Sequence, residues 1–188
     1  MAKGLVLRDR GPARLAAGPT LWFRLAQADT PAAVEQYRAV LGPMRADDED
    51  PMFWFEAVSG LRSVSGLWSF NGDHWVMHPV PSDTAKRTLN RWLERLCDEG
   101  DLAIQYTDEG IAADDRTLLG YVFAQAANAL TEAHIYRPCQ YCRQPFLATR
   151  IDRRFCRNSH STLYARRQTE LADFEASERA AKTQKDYT

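Results

Sequence analysis

The chain has 188 residues with 24 basic and 25 acidic side chains, a formal net charge of -1 at pH 7. Hydrophobic content of 45% and charged content of 26% exclude a disordered or low-complexity chain. No apolar run approaches the roughly 20 residues of a membrane-spanning helix, and the first ten residues meet charge at once. Neither an anchor nor a signal peptide is expected, and the chain reads as cytoplasmic.

The first 135 residues read as a helix-rich α+β domain with short hairpins. Thr30-Pro31 is a cap followed by proline at the first helical position, and Gly42-Pro43 is the stop. Between them Val34, Tyr37, Arg38 and Leu41 share one helical face. An acidic loop, Asp47 to Asp50, leads to Pro51 and a second helix running to about Val64. Leu67–Phe70, Asn71-Gly72 and His74–Met77 predict a hairpin. Ser82 then opens a helix with Ala85, Leu89, Trp92, Leu93 and Leu96 on one face, ending near Gly100. Leu102–Tyr106 against Ile111-Ala112, across Asp108-Glu109-Gly110, predicts a second hairpin. Asp114 or Asp115 is expected to open a long helix to about His134, which Pro138 terminates. Trp54, Trp68, Trp75 and Trp92 are expected in the core, and Cys97 as a partly buried thiol.

Residues 136–188 carry the chemistry. Cys139, Cys142, Cys156 and His160 form the pattern C-x2-C-x13-C-x3-H. A close cysteine pair, a gap of a dozen or so residues and two further soft or imidazole ligands is how one Zn2+ is enclosed by four protein atoms. Three of the four cysteines fall inside this pattern, which suits metal better than disulfides in a reducing compartment. Four ligands leave no open coordination position, so the zinc is expected to be structural. His134 is the alternative fourth ligand if His160 points away. Phe146–Ala148 and Arg153–Phe155 are expected to pair as a hairpin, with Cys156 and His160 on the first turn of a helix. That order of knuckle, hairpin and ligand-bearing helix is a C-terminal treble clef. The tail after Arg167 reads as helix-prone, fraying from about Arg179.

The segments Arg137-Pro-Cys139-x-x-Cys142-x-x-x-Phe146, Arg153-Arg-Phe155-Cys156 and Tyr164-Ala-Arg166-Arg167 resemble the small treble-clef zinc fingers that end many bacterial proteins, including the CGNR-type fingers. The tetrad Cys-Gly-Asn-Arg is replaced by Cys156-Arg157-Asn158-Ser159, and the last ligand, usually cysteine, is His160. The resemblance covers residues 137–167 and implies nucleic-acid binding in transcription.

Charge distribution points the same way. Residues 137–167 hold eight arginines and one acid, Asp152, for a formal +7, which leaves -8 for the rest. Arg143, Arg150, Arg153, Arg154, Arg157, Arg166 and Arg167 are the candidate phosphate contacts, because a guanidinium bonds phosphate bidentately and stays charged. The reading is a nucleic-acid-binding regulator, DNA before RNA, with a homodimer as a way to add specificity. The alternative is an interaction module whose finger caps the fold and binds an acidic protein surface. Catalysis is not expected. Pro138-Cys139-x-x-Cys142 matches half of the zinc deaminase signature, but none of the four histidines is followed two positions later by glutamate.

Overall fold

The computed structural model describes residues 6–7, 20–45, 50–79, 82–107, 110–150 and 152–185. The fold is α+β, with six helices among these residues and two small sheets. In chain order the elements are β1 (Val6–Leu7), α1 (Leu21–Ala26), α2 (Pro31–Leu41), α3 (Pro51–Ser65), β2 (Trp68–Phe70), β3 (Trp75–Met77) and α4 (Asp83–Asp98). They continue with β4 (Leu102–Thr107), β5 (Gly110–Asp115), α5 (Leu118–Thr131), β6 (Tyr136–Pro138), β7 (Pro145–Leu147) and α6 (Asn158–Lys185). Among the described residues no helix is long and apolar enough to cross a membrane.

Local chemistry sets most boundaries. The Thr30 side chain accepts the Ala33 N–H at 3.2 Å, and Asp50 accepts the Met52 N–H at 2.8 Å, each ahead of a proline at the first helical turn. Asp47, Asp48 and Glu49 lie outside the described residues. Gly42 and Gly100 close α2 and α4 with φ of 79° and 78°, in the left-handed region that favours glycine. Ser82 precedes α4 but makes no side-chain cap. The β2–β3 hairpin pairs Phe70 with Trp75, so Asn71-Gly72 opens a four-residue loop closed by Asn71 N–H to the His74 carbonyl.

Three expectations are corrected here. Asp114 and Asp115 do not open α5; they pair with Ala103 and Leu102 as the end of β5. Thr117 is the cap, its hydroxyl accepting the Gly120 N–H at 3.1 Å. Phe146 does not pair with the 153–155 segment: β7 pairs with β6, with Arg137 opposite Phe146. Cys97 is exposed, because Leu96 takes the buried face of α4 and the next residue lies about 100° around the helix. α6 is helical as far as Lys185. The turn at Asp108-Glu109 lies outside the described residues.

The core is built where α1, α3, α4 and α5 meet. Trp22, Phe23, Trp54, Leu61, Leu96, Leu119 and Phe123 are fully buried in it. Trp75 is only half-buried. Two glycines permit the closest approaches. A Cβ on Gly60 would run into the Trp92 indole, and one on Gly120 would overlap the carbonyl of Asp101. The second neighbour is backbone and cannot rotate away. Gly120→Ala is therefore expected to destabilise the protein by about 1–3 kcal/mol, as overpacking does. The check is the denaturant midpoint, which should fall at constant m-value.

The second sheet positions the functional site. Its order, β2-β3-β6-β7, joins strands from before residue 135 to strands after it. Trp75 pairs with Tyr136. The Tyr136 ring stacks on Phe23 at 4.2 Å with an interplanar angle of 11° and sits edge-on to Trp22 and Trp68. Trp22 Nε1 donates to the Tyr136 hydroxyl at 3.0 Å, and burial holds that phenol above its ordinary range. Trp68 Nε1 donates to the His134 carbonyl at 2.7 Å. The strand that delivers the chain to Cys139 is thus anchored in the aromatic core.

Candidate metal centre

The knuckle is a tight turn between β6 and β7. Cys139 N–H donates to the Gln144 carbonyl at 2.9 Å, and Arg143 N–H to the Cys139 carbonyl at 2.8 Å. Arg143 takes a φ of 62° to close that turn, a conformation that a side chain adopts only when the surroundings enforce it. Gln140 N–H reaches across to the Arg154 carbonyl at 3.1 Å and ties the knuckle to the segment that carries Cys156. Cys156 stands just before α6 and His160 on its first turn. The pair converges from a turn-helix junction rather than from one helical face.

The four expected ligands come together. One ligand atom from each of Cys139, Cys142, Cys156 and His160 lies within 4.8 Å of all the others. Cys139 Sγ is 3.5 Å from His160 Nδ1, Cys156 Sγ is 3.1 Å from the same nitrogen, and Cys142 Sγ is 3.9 Å from Cys156 Sγ. A tetrahedral ion bound at about 2.3 Å to sulfur and about 2.0 Å to nitrogen holds sulfurs about 3.8 Å apart and sulfur and nitrogen about 3.5 Å apart. The donor set therefore fits one ion. Cys139 and His160 are buried and the other two half-buried. His134, the alternative ligand, stays outside the cluster, its ring beside Tyr136 at 6.2 Å.

The thiols are out of balance as proton donors. Burial pushes the Cys139 thiol up, but the backbone N–H groups of Cys142, Cys156 and Tyr141 and the His160 ring bring it down to about 6. Cys156 is pushed up to about 11, by burial first and then by the neighbouring Cys139 and Cys142 sulfurs. Three sulfurs this close cannot all ionise unless a cation sits between them.

The arginines sort into distinct roles. Arg153 donates to the carbonyls of Phe155 (3.1 Å) and Cys156 (2.8 Å) and lies over the Phe146 ring, so it clamps the ligand loop. Arg157 Nε donates to His160 Nε2 at 2.8 Å. Coordination through Nδ1 would place the ring proton on Nε2, so Arg157 must give up that contact to a bound ion. Arg150 pairs with Asp152, and Arg166 with Glu170. Arg137 is buried against Asp73. Arg143, Arg154 and Arg167 are exposed and make no side-chain hydrogen bond or ion pair that the described residues show.

Two hollows flank the centre. One, of about 390 Å3, is lined by Arg150, Arg153, Arg154 and Arg157 with Asn158 and Ser161. The other, of about 830 Å3, lies between α1, α2, Trp75 and the knuckle residues Arg143–Pro145. Arg24 spans it, donating to the Pro145 carbonyl at 3.1 Å. Tyr141 lies 5.0 Å from the His160 ring and Tyr164 lies 5.4 Å from Phe155. Both tyrosines are half-buried. They cover the centre before they offer any stacking face.

Sequence reasoning missed α1, and with it Trp22 and Phe23, the residues that hold Tyr136. The signal available was the apolar run Leu21-Trp22-Phe23, interrupted only by Arg24. Comparison with protein-family models, with curated proteins and with solved structures finds no match. The chain is placed by its own residues, as an α+β protein whose Cys3His cluster could hold one metal ion.

Proposed function

We propose that this chain is a zinc-dependent nucleic-acid-binding protein. Its C-terminal module is read as a treble clef in which the metal holds an arginine surface against a phosphate backbone. Three thiolates and one imidazole are a donor set for Zn2+, and a fully ligated zinc supplies cross-linking rather than catalysis. The resemblance of residues 137–167 to bacterial CGNR-type fingers supports a role in transcription.

The observation that carries the reading is the 390 Å3 hollow. Arg150, Arg153, Arg154 and Arg157 line it, around the loop that leads into the last two ligands, and of the four Arg154 makes no internal side-chain contact among the described residues. One carboxylate, Asp152, shares the hollow and is engaged by Arg150. A phosphate seated there meets a net positive site whose shape depends on the metal.

Arg154 gives the clean test, because its side chain supports nothing internal. Anisotropy of a labelled DNA duplex is measured against the zinc-loaded protein across a salt series. Affinity should fall linearly on a log–log plot, and Arg154→Ala should weaken binding at low salt and flatten the slope by about 1. Binding that ignores salt, or a variant with an unchanged slope, rejects the reading. The second reading, an interaction module, draws on a separate observation. Leu163, Leu171 and Phe174 of α6 are 42%, 47% and 60% exposed.

A further inference from the structure

The larger hollow, about 830 Å3, shares only its Arg143–Pro145 wall with the metal centre. It falls within the roughly 300–1,000 Å3 that small-molecule sites occupy. α1 and α2 each pack against α3 but not closely against one another, and the space between them stays open. Leu21, Ala28, Ala33, Leu41 and Trp75 give it apolar walls. Trp75 is the tryptophan that the core leaves half-buried, whereas Trp22, Trp54, Trp68 and Trp92 are buried. At the rim Val40 is 80% exposed, a large apolar side chain with no cover among the described residues.

The charge in these walls has one sign. Arg24 and Arg143 line the hollow beside the uncharged Gln36 and Tyr37, and no Asp or Glu is among its described lining residues. Arg24 is half-buried and held in place, its Nε donating to the Pro145 carbonyl at 3.1 Å. Among the described residues its two terminal nitrogens have no hydrogen-bond or ion-pair partner. A guanidinium pinned through Nε keeps its Nη edge free, and two parallel N–H bonds from that edge match a carboxylate. Tyr37 adds a neutral donor. Burial holds its phenol above the ordinary range, with Arg24 offsetting part of the effect, so the hydroxyl keeps its proton at neutral pH. Arg143 stands exposed at the mouth. An occupant suited to these walls has an apolar body to cover Trp75 and Val40, and one anionic end to meet Arg24. Inorganic phosphate has the charge but would leave the apolar walls wet.

We infer that this hollow is a binding site for a small aromatic carboxylate, its acid group on Arg24, its ring against Trp75 and Val40, and Arg143 adding charge at the mouth. The site is separate from the arginines around Asp152, and nucleic acid plays no part in it. Its wall includes Gln144, whose carbonyl accepts the Cys139 N–H at 2.9 Å. A bound acid therefore lies against the residues that shape the knuckle.

The test is an NMR titration of the 15N-labelled full chain, as purified, with 2-naphthoate and with the neutral 2-naphthamide. A probe of about a dozen heavy atoms, at ordinary affinity per atom, binds with a Kd of about 1 mM or tighter. Naphthoate should give saturable shifts at the Trp75 indole N–H and in residues 21–41 and 143–144, and the amide should bind at least about tenfold more weakly. Arg24→Gln should weaken naphthoate binding at least about tenfold, as loss of a hydrogen bond to a charged group does. Because Arg24 also holds the Pro145 carbonyl, Gln36→Glu is the second variant. Gln36 is exposed on α2, and the change sets a like charge beside the site while removing no hydrogen bond among the described residues. It should weaken naphthoate about threefold and leave the amide unchanged. Circular dichroism melts of each variant separate a lost site from a lost fold. An absence of saturable shifts up to about 10 mM naphthoate overturns the inference. So does an amide that binds as well as the acid, or a set of shifts centred on the Arg150–Arg157 hollow. A folded Arg24→Gln or Gln36→Glu variant with undiminished naphthoate affinity overturns it equally. None of these measurements contains DNA, so they stand apart from the Arg154→Ala salt slope.

Discussion

Cys139→Ser is expected to abolish stoichiometric metal binding and to unfold residues 139–160 while leaving the helical core intact. Cys139 is fully buried, its sulfur 3.5 Å from His160 Nδ1, and its own N–H and carbonyl close the knuckle turn. Serine offers a hard, protonated oxygen where the ion needs a thiolate. The segment it serves has little else to hold it: Phe146 is its buried aromatic anchor, and Phe155 and Tyr164 are only half-buried. Structural zinc typically contributes on the order of 10 kcal/mol to a unit of this size. Its loss exceeds what any single contact in the segment can offset. Metal content of the purified variant, with hydrogen exchange across residues 139–160, checks both halves. Retained metal, or protection undiminished in that segment, would sink the assignment of Cys139 as a ligand. Wild-type protein stripped with a chelator should show the same exchange pattern.

The second large effect is expected at Tyr136, which touches no metal ligand. Its ring is fully buried against Phe23, Trp22 and Trp68. Tyr136→Ala removes an aromatic side chain from a packed core and should cost about 3–5 kcal/mol of global stability. Tyr136→Phe keeps the ring and deletes only the hydroxyl that accepts from Trp22 Nε1 at 3.0 Å. That change should cost about 1–3 kcal/mol, because the buried indole N–H loses its partner. The two variants separate packing from hydrogen bonding in one unfolding series. Tyr136 lies three residues before Cys139 and anchors the strand that carries it. The alanine variant should therefore also bind zinc more weakly than wild type at temperatures where it is still folded, as competition with a chromophoric chelator would show. Equal affinities would mean that the metal module folds without the core behind it.

The elements that could be read from the chain are those whose cause is local. Thr30-Pro31 and Asp50-Pro51 start helices because a side-chain oxygen reaches an N–H two or three residues on, and no distant residue is needed. The Cys-x-x-Cys spacing and the later Cys156–His160 pair are local in the same sense. A turn of that length can present two sulfurs to one point, so the ligand set was legible before any fold was known.

Other errors share a different cause. The start of α5 was misplaced because Asp114 and Asp115 have the chemistry of helix caps, yet their pairing with β4 extends the strand past them. Phe146 and Leu147 look like a hairpin arm, but their partner is the strand before the knuckle rather than the segment after it. Arg153 and Arg157 look like phosphate contacts, and the fold engages Arg153 with the ligand-loop carbonyls and Arg157 with the His160 ring. Nothing in the identity of an arginine says which carbonyl it will meet.

The sequence by itself determined which four atoms can share an ion, where most helices begin, and that positive charge gathers near the C-terminal end. Only the tertiary structure decided that β6 joins the aromatic core, which arginines are spent on internal contacts, and that α6 is exposed all round from Ala165 to Ser177. The physical reason is the range of the interactions. Caps and knuckles are set within a few residues, whereas burial depends on groups that can lie more than a hundred positions apart, as Trp22 and Tyr136 do.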